Sequence, residues 1–406
     1  VAYSFASPVK EEPEAFPMKT SGTYTIAVAG LGRRIATVIR NLHAAAPNIR
    51  IVAYADPAPT GLSALSKRGI DAGAAYGDVA TMLRETSPDL LMVGSPNHLH
   101  LEHIKAGLEA GIRVFTEKPV VRTEEETWEL ARLLHTHGQN AVLVGLVLRS
   151  APLVAAVTRM LREKLGPLIS FEGNEHLHPE HGAFLMRDWR RHEKHGGSFL
   201  LDKCCHDFDL YRLFAGALPA RVVSFGGRSI FTPKNEALAG RKHGDGTPAY
   251  TLWRAGWNAG ESVFRSDADV ADNQVTLIEY ENGVRLAFHA NSHAGILQRR
   301  WYFAGLNGAL EADLVTNRLT FRDAMGAEEP EIEEFPASVE GHYGSDEQMG
   351  RDLAAHLLDG APFPVRVHDA MVAGLTIMAV DRAMREGTII DCRPLWERLE
   401  MEMRGG

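Results

Sequence analysis

The stretch GGSFLLDKCCHDFDL, Gly196 to Leu210, gathers three aspartates, a histidine and two adjacent cysteines. Three chemistries use such residues: metal ligation, thiol redox exchange, and proton transfer by an Asp/His pair. Cys204 and Cys205 are sequence neighbours and lack the C-x-x-C spacing of a zinc or redox pair. On a helix, Asp202, His206 and Asp209 fall within about 60° of one another, on one stripe. Cys204 falls on the opposite side with Leu201, Phe208 and Tyr211, and Cys205 on the flank. The spacing therefore favours a proton-handling helix with cysteines in the packing. A solvated Asp/His pair or a capping aspartate is the alternative that spacing alone leaves open.

A second candidate is GLGRRI, Gly30 to Ile35. Gly30 permits a tight turn, and Gly32 lets backbone approach a pyrophosphate where free helical N–H groups favour an anion. Ile35 stands where the third glycine of G-x-G-x-x-G is expected, so the motif by itself is weak. Asp56 ends the next apolar run, where an acid accepts hydrogen bonds from the adenosine ribose hydroxyls. The following ADPAPTG offers no Arg or Lys for a 2′-phosphate, which favours NAD; Arg33 and Arg34 keep NADP possible.

These groups need a scaffold. Short apolar runs at 24–30, 49–56, 89–96, 112–119 and 141–147 alternate with helical patterns, which predicts βαβ units and a parallel sheet. Beyond about residue 150 strand candidates crowd together, with hairpin turns at YENGVRL and GLNGAL. That texture predicts an α+β domain with a large, mostly antiparallel open sheet. We expect a disordered lead over 1–20 with Met18 a plausible start, a dinucleotide-binding domain over 21–148, and a substrate-binding and oligomerisation domain over 149–406. A polar loop over 233–250 reads as a surface excursion.

The chain has 406 residues, 45% of them hydrophobic, so it has the volume for more than one domain core. Its net charge of −9 comes without a basic stripe, which argues against nucleic acid. No apolar run is long enough for a membrane span. Three cysteines and no signal-peptide pattern at the start fit a reducing cytoplasm.

Three further segments make a resemblance specific. They are GSPNHLHLEHIKAGLEAGIRVFTEKP (94–119), the Asp202-x-x-x-His206 pair, and GHYGSDEQMGRDLAAHLLDG near the C-terminus. Together the chain resembles the glucose–fructose oxidoreductase / inositol dehydrogenase / MocA family from about residue 24 onward. The strongest token is Glu117-Lys118-Pro119 after an apolar strand. The resemblance implies a Rossmann domain joined to an open-sheet α/β domain, with NAD or NADP serving hydroxyl/ketone interconversion on sugars and polyols. It places Gly30, Gly32, Arg33, Arg34 and Ile35 at the pyrophosphate turn and Asp56 at the adenosine ribose. Ser95, Pro96, Asn97, His98 and His100 fall near the cofactor, and Glu117 by the nicotinamide half. Lys118 points toward substrate, with a cis bond expected before Pro119. Asp202 and His206 complete the polar pair, Arg149 near the domain junction and His342 are expected to meet the substrate, and Asp346 falls near the pocket. The resemblance also implies a homodimer or homotetramer formed through the C-terminal sheet.

Oxidising a secondary alcohol removes a proton from oxygen and a hydride from carbon, and the cofactor takes the hydride. His206, ordinarily titrating near about pH 6.5, suits the base, and Lys118 suits the donor to the developing alkoxide. Asp202 can orient the imidazole or bind a neighbouring hydroxyl. The segment 174–197 carries His176, His178, His181, His192, His195 and Trp189. Its broken spacing and lack of Cys argue against a metal, so we expect none. A lid is favoured, with His176 and Trp189 meeting the substrate and Trp189 stacked on a sugar face. Two other functions share these residues: a redox glycosidase that oxidises its sugar only transiently, and a non-catalytic sugar sensor.

Overall fold

The computed structural model describes residues 23–250, 261–336 and 342–405; the expected lead and Met18 lie outside them. The chain divides into two compact units.

The first unit begins with β1 (Thr25–Ala29), α1 (Arg33–Ala45), β2 (Arg50–Ala55), α2 (Leu62–Ser66), β3 (Ala74–Tyr76) and α3 (Val79–Thr86). It continues with β4 (Leu90–Val93), α4 (His100–Glu109), β5 (Arg113–Thr116), α5 (Glu124–His137) and β6 (Val142–Val144). All six strands pair in parallel, in the order β3-β2-β1-β4-β5-β6. β4 and β5 are buried at every position, as parallel strands with both faces covered must be. The strand order reverses between β1 and β4, and such a reversal opens a ligand crevice at the carboxyl ends of the strands. The edge strand β3, with the sequence AAY, has no apolar run to announce it.

The missing third glycine has a structural answer. In a G-x-G-x-x-G turn that glycine lets helix and strand approach closely. Here Ile35 is buried in α1, and the residue facing it, after β4, is Gly94. A Cβ on Gly94 would lie 2.5 Å from Cβ of Ile35. The space a glycine would have left on the helix is supplied from the strand side instead.

The second unit runs through α6 (Pro152–Glu163), β7 (Leu168–His176), α7 (Pro179–Leu185), α8 (Glu193–Gly196), α9 (Phe199–Ala215) and β8 (Pro219–Gly227). Then come β9 (Asn273–Tyr280), β10 (Arg285–Asn291), β11 (Arg300–Gly305), β12 (Gly308–Asp313), β13 (Arg318–Asp323) and β14 (Glu331–Glu334). The chain closes with α10 (Ser345–Asp359), α11 (Val367–Glu386), β15 (Ile390–Asp391) and α12 (Arg393–Arg404). The sheet order is β14-β13-β12-β11-β7-β10-β9-β8-β15, and among its neighbours only β7 and β10 run parallel. The Asn282-Gly283 turn joins β9 to β10 with Gly283 at φ 83°, and β11 and β12 form the second expected hairpin. Within 233–250 the polar loop holds a short 3-10 turn at Pro233–Leu238.

One face of this sheet is covered by α9. Phe288 of β10 meets Phe208 and Tyr211 edge-on at 5.3 and 5.4 Å, and Phe171 of β7 meets Tyr211 at 5.8 Å. Gly173 makes room for the Tyr211 ring, since a Cβ there would lie 2.4 Å from its hydroxyl oxygen. The other face leaves Phe225, Val275, Leu277 and Tyr302 exposed.

The C-terminal stretch does not belong wholly to the second domain, as its position in the chain had suggested. Residues 342–375 and 395–405 group with the first unit. The buried stripe of α10 includes Met349, Gly350 and Leu353, and Gly350 lies against the backbone of Asn41 in α1. Helical periodicity marks such a stripe without naming the surface that covers it.

Gly94→Ala should lower stability by about 1–3 kcal/mol through overpacking, read by urea denaturation. Ile35→Ala should cost less in the Gly94→Ala background than in the wild type, because the two positions share one space.

Candidate active site

At the carboxyl ends of β1, β4 and β5 the first unit assembles most of the expected cofactor residues. Gly30 turns the chain at φ 81°, and a Cβ there would fall 2.4 Å from the Ser95 backbone. Gly32 is the N-cap of α1, which has neither a side-chain cap nor an acid in its first turn. α3, α5 and α9 are capped by Asp78, Thr123 and Ser198, whereas α2, α4, α7, α8 and α10 share the uncapped start, so what sets α1 apart is its place at the strand-order reversal. An uncapped helix start at a strand-order reversal fits a pyrophosphate, whose oxygens would take the place of a capping side chain. Asp56 follows β2, half-buried, and accepts a hydrogen bond from the Ala58 N–H at 2.6 Å. Arg33 is exposed. These residues fit a dinucleotide.

Around β4, Asn97 is buried in a short 3-10 turn with His98 and Leu99, after Pro96. The Ser95 hydroxyl lies 3.0 Å from Nδ1 of His103. The Lys118–Pro119 bond is cis, as expected. Glu117 is buried, and its N–H donates to the Val93 carbonyl at 2.9 Å.

Three expected contacts have partners inside the first unit. His100 is buried, with Nδ1 2.7 Å from the Pro119 carbonyl and Nε2 3.0 Å from that of Ser95. It is a strut between the two loop ends, and burial pushes its pKa down to about 4 despite those carbonyls. Arg149 lies 3.7 Å from the buried Asp369, within the first unit. Arg34 was expected to serve phosphate; its Nε instead donates to Oε1 of Glu117 at 3.0 Å and its Nη1 to Asp346. His342 joins the same cluster, with Nδ1 2.9 Å from Asp346 Oδ2. Burial would raise the Asp346 pKa, but His342 and the Arg34 charge outweigh it and hold the carboxyl down at about 2.

In the second unit α9 is buried along nearly its whole length. Asp202, His206 and Asp209 are buried on one stripe, and Cys204 and Cys205 are buried free thiols. Burial pushes the Cys204 thiol up, away from the thiolate that redox chemistry needs. The sheet-facing side hides a charged network that the sequence reading missed. Asp207 takes a two-pronged bond from Arg299, at 2.8 and 2.5 Å. Arg299 also lies 3.0 Å from Glu175, which lies 3.0 Å from Lys203. Burial alone would raise the Glu175 pKa; Arg299 and Lys203 outweigh it and hold it low. Asp207 is pushed up to about 6 by burial, with Arg299 opposing. The signal was present: an aspartate on the apolar side of a helical wheel requires a buried cation.

The 174–197 segment is pinned rather than loose. The Glu193 N–H donates to Asp269 at 2.8 Å, and Arg191 donates to Asp267 at 2.6 Å. The stretch DADVADNQ (267–274) thereby holds this segment in place. Its last acid, Asp272, accepts the backbone N–H groups of Ser229, Ile230 and Phe231. Arg190 stacks over Trp189 at 3.9 Å, which covers a ring face expected to be offered to a sugar. Arg190 Nε also lies 3.6 Å from Asp202, and its Nη1 lies 3.3 Å from Asp188. Burial raises the pKa of Asp188. His176 points to the sheet face away from α9, its ring 4.7 Å from that of His289. It therefore does not share a face with Asp202 and His206. Among the described residues no group of three or more His, Cys, Asp or Glu is placed to hold a metal ion. Nor is any described helix long and apolar enough to cross a membrane.

Comparison with known proteins agrees with this architecture. Residues 24–146 match the NAD-binding Rossmann fold of an oxidoreductase family, and residues 159–391 match its C-terminal alpha/beta domain. The class is thus a two-domain, NAD-binding oxidoreductase fold. The chain belongs to the Gfo/Idh/MocA family. It is 23% identical over 269 residues to the putative oxidoreductase YteT of Bacillus subtilis, covering 57% of this chain and 62% of that protein. It is 23% identical over 299 residues to the 2,7-anhydro-N-acetylneuraminate hydratase of Mediterraneibacter gnavus, covering 73% of this chain and 68% of that protein. A levoglucosan dehydrogenase in complex with NADH and levoglucosan superposes with a TM-score of 0.70 at 17% identity, covering 91% of this chain and 99% of the other. At that identity the likeness is one of fold.

Arg299→Met leaves Asp207 and Glu175 short of a cation and should cost about 3–5 kcal/mol by urea denaturation. Adding Asp207→Leu should restore part of that loss, because it removes a stranded carboxylate.

Proposed function

We propose that this chain is an NAD-dependent dehydrogenase acting on a secondary hydroxyl or ketone of a sugar, polyol or glycoside. The observation that carries the reading is the uncapped start of α1 at Gly32, placed between Asp56 and the Glu117-Lys118 segment. Bound there, the dinucleotide supplies the hydride acceptor or donor. Asp56, with no cation in the ADPAPTG segment beside it, favours a free ribose 2′-hydroxyl and hence NAD over NADP.

The protein's own share is proton handling and orientation. Lys118 donates to the substrate oxygen and stabilises its developing negative charge. His206 takes the hydroxyl proton during oxidation and returns it during reduction. Asp202, one helical turn before His206 and close to Arg190, holds a neighbouring substrate hydroxyl or orients the imidazole. Their joint geometry is part of the proposal. Buried free thiols at Cys204, Cys205 and Cys392 are compatible with a reducing cytoplasm.

A second reading keeps the same residues. One relative is named a hydratase, an activity without net oxidation of its product. Transient oxidation of a sugar, followed by elimination or hydration and re-reduction, would likewise leave no net NADH.

We further propose that two or four copies associate through the open face of the nine-stranded sheet. Leu277, Phe225 and Tyr302 are exposed there, and the adjoining groove also includes Arg221, Glu279 and Arg285. An exposed apolar patch of this kind marks an association surface.

Lys118→Ala and His206→Ala should each slow turnover at least about a hundredfold in a panel of polyols, aldoses and glycosides. Net NADH absorbance identifies the dehydrogenase, and product formation without it identifies the transient cycle. Unchanged rates in both variants would remove these residues from the chemistry. Leu277→Lys should shift the wild-type oligomer toward monomer in light scattering after gel filtration. An unchanged mass would exclude the sheet face as the interface.

A further inference from the structure

We infer that Arg34 is a positioning residue with one arm reserved for the nicotinamide half of the dinucleotide. The inference rests on the cofactor reading above. Arg34 is the second residue of α1, so it is rooted where the pyrophosphate is expected. Two arms of its guanidinium are engaged inside the first unit. Nε donates to Glu117 at 3.0 Å, while Nη1 donates to Asp346 and lies 3.4 Å from Nδ1 of His342. The third arm differs. The side chain as a whole is 29% exposed, yet Nη2 is buried and has no hydrogen-bond partner.

A buried donor on a charged group without an acceptor is costly, and native structures rarely leave one. Burial alone would lower the pKa of Arg34, but Glu117 and Asp346 outweigh it and raise it. The guanidinium therefore stays charged and keeps every N–H. Glu117 and Asp346 already pair its single charge. A ligand group meeting Nη2 is thus better served by a neutral acceptor, such as a ribose hydroxyl or a carboxamide oxygen, than by another anion.

The sheet order supplies the direction. Asp56 follows β2, on one side of the reversal between β1 and β4, and Glu117 follows β5 on the other. A dinucleotide lying across that reversal puts its adenosine over the β2 side and its nicotinamide half over the β5 side. Arg34 is drawn toward β5. It is therefore turned away from the adenosine 2′-position, where a phosphate would distinguish NADP.

Arg34 also links the cofactor to two further groups. Glu117 immediately precedes Lys118, and Asp346 holds His342 beside the left-handed pair His342 (φ 51°) and Tyr343 (φ 58°). An acceptor on Nη2 would fix the guanidinium and, through it, the Glu117 carboxylate and the start of α10.

Titration calorimetry on the full chain tests this, with NAD and ADP as separate ligands. Arg34→Gln should weaken NAD at least about tenfold and leave ADP within about twofold, because ADP lacks the nicotinamide half. Arg34→Lys keeps the charge but not the fork and should recover only part of the NAD affinity. Unchanged NAD binding in Arg34→Gln would overturn the inference while leaving the cofactor reading intact. Equal losses for NAD and ADP would assign the guanidinium to the pyrophosphate or to the fold, which also overturns it. A wild-type chain that binds neither NAD nor NADP would overturn the cofactor reading itself. If Arg34→Gln does not fold, Asp346→Asn loosens the same guanidinium. It should weaken NAD and spare ADP, and no change in NAD affinity would again count against the inference.

Discussion

The first unit depends on one close approach: α1 must start within backbone contact of the ends of β1 and β4. Gly30 allows it on the turn and Gly94 on the strand side, since a Cβ at either would collide with its neighbour. With that approach made, the free N–H groups of α1 sit at the strand-order reversal, where an anion can replace a cap. The same approach puts Arg34 within reach of Glu117. The start of α1 and the Glu117-Lys118 segment are thereby joined by one guanidinium.

α9 solves a different problem. It must keep Asp202 and His206 in a fixed orientation although nearly its whole length is buried. Apolar packing, with Phe208 and Tyr211 edge-on to the sheet, fixes the helix by shape. A guanidinium forked on Asp207 has a narrow geometry, and Glu175 and Lys203 balance the charge around it. Such a network is weak evidence for net stability, since taking four charges out of water is expensive. What it supplies is a fixed bidentate tie between α9 and the residue that leads into β11.

The segment before α9 is organised by the same means. Asp267 and Asp269 hold Arg191 and Glu193 from outside, and Arg190 lies over Trp189 and near Asp202. A region rich in histidine is thus governed by aspartates and arginines. Its histidines fall into pairs rather than one cluster: His176 beside His289, His178 beside His243, and His192 beside His195.

Much was legible in the linear sequence where the relevant physics is local. Alternating apolar runs and helical patterns specified the parallel sheet, Asn-Gly specified a hairpin, and helical phase put Asp202 and His206 on one side of α9 and the cysteines on another. Glu117-Lys118-Pro119 carried the family resemblance. Long-range pairing was not legible. Nothing near Arg34 in sequence points to Asp346, nothing near Asp207 points to Arg299, and His176 needed the strand's register to show which face it takes. The division of the C-terminal helices between the two units is of the same kind. A residue's type and its phase on a helix or strand are set within a few positions, so the sequence alone determines them. The identity of a partner more than a hundred residues away depends on which surfaces close together, and only the tertiary structure decided that.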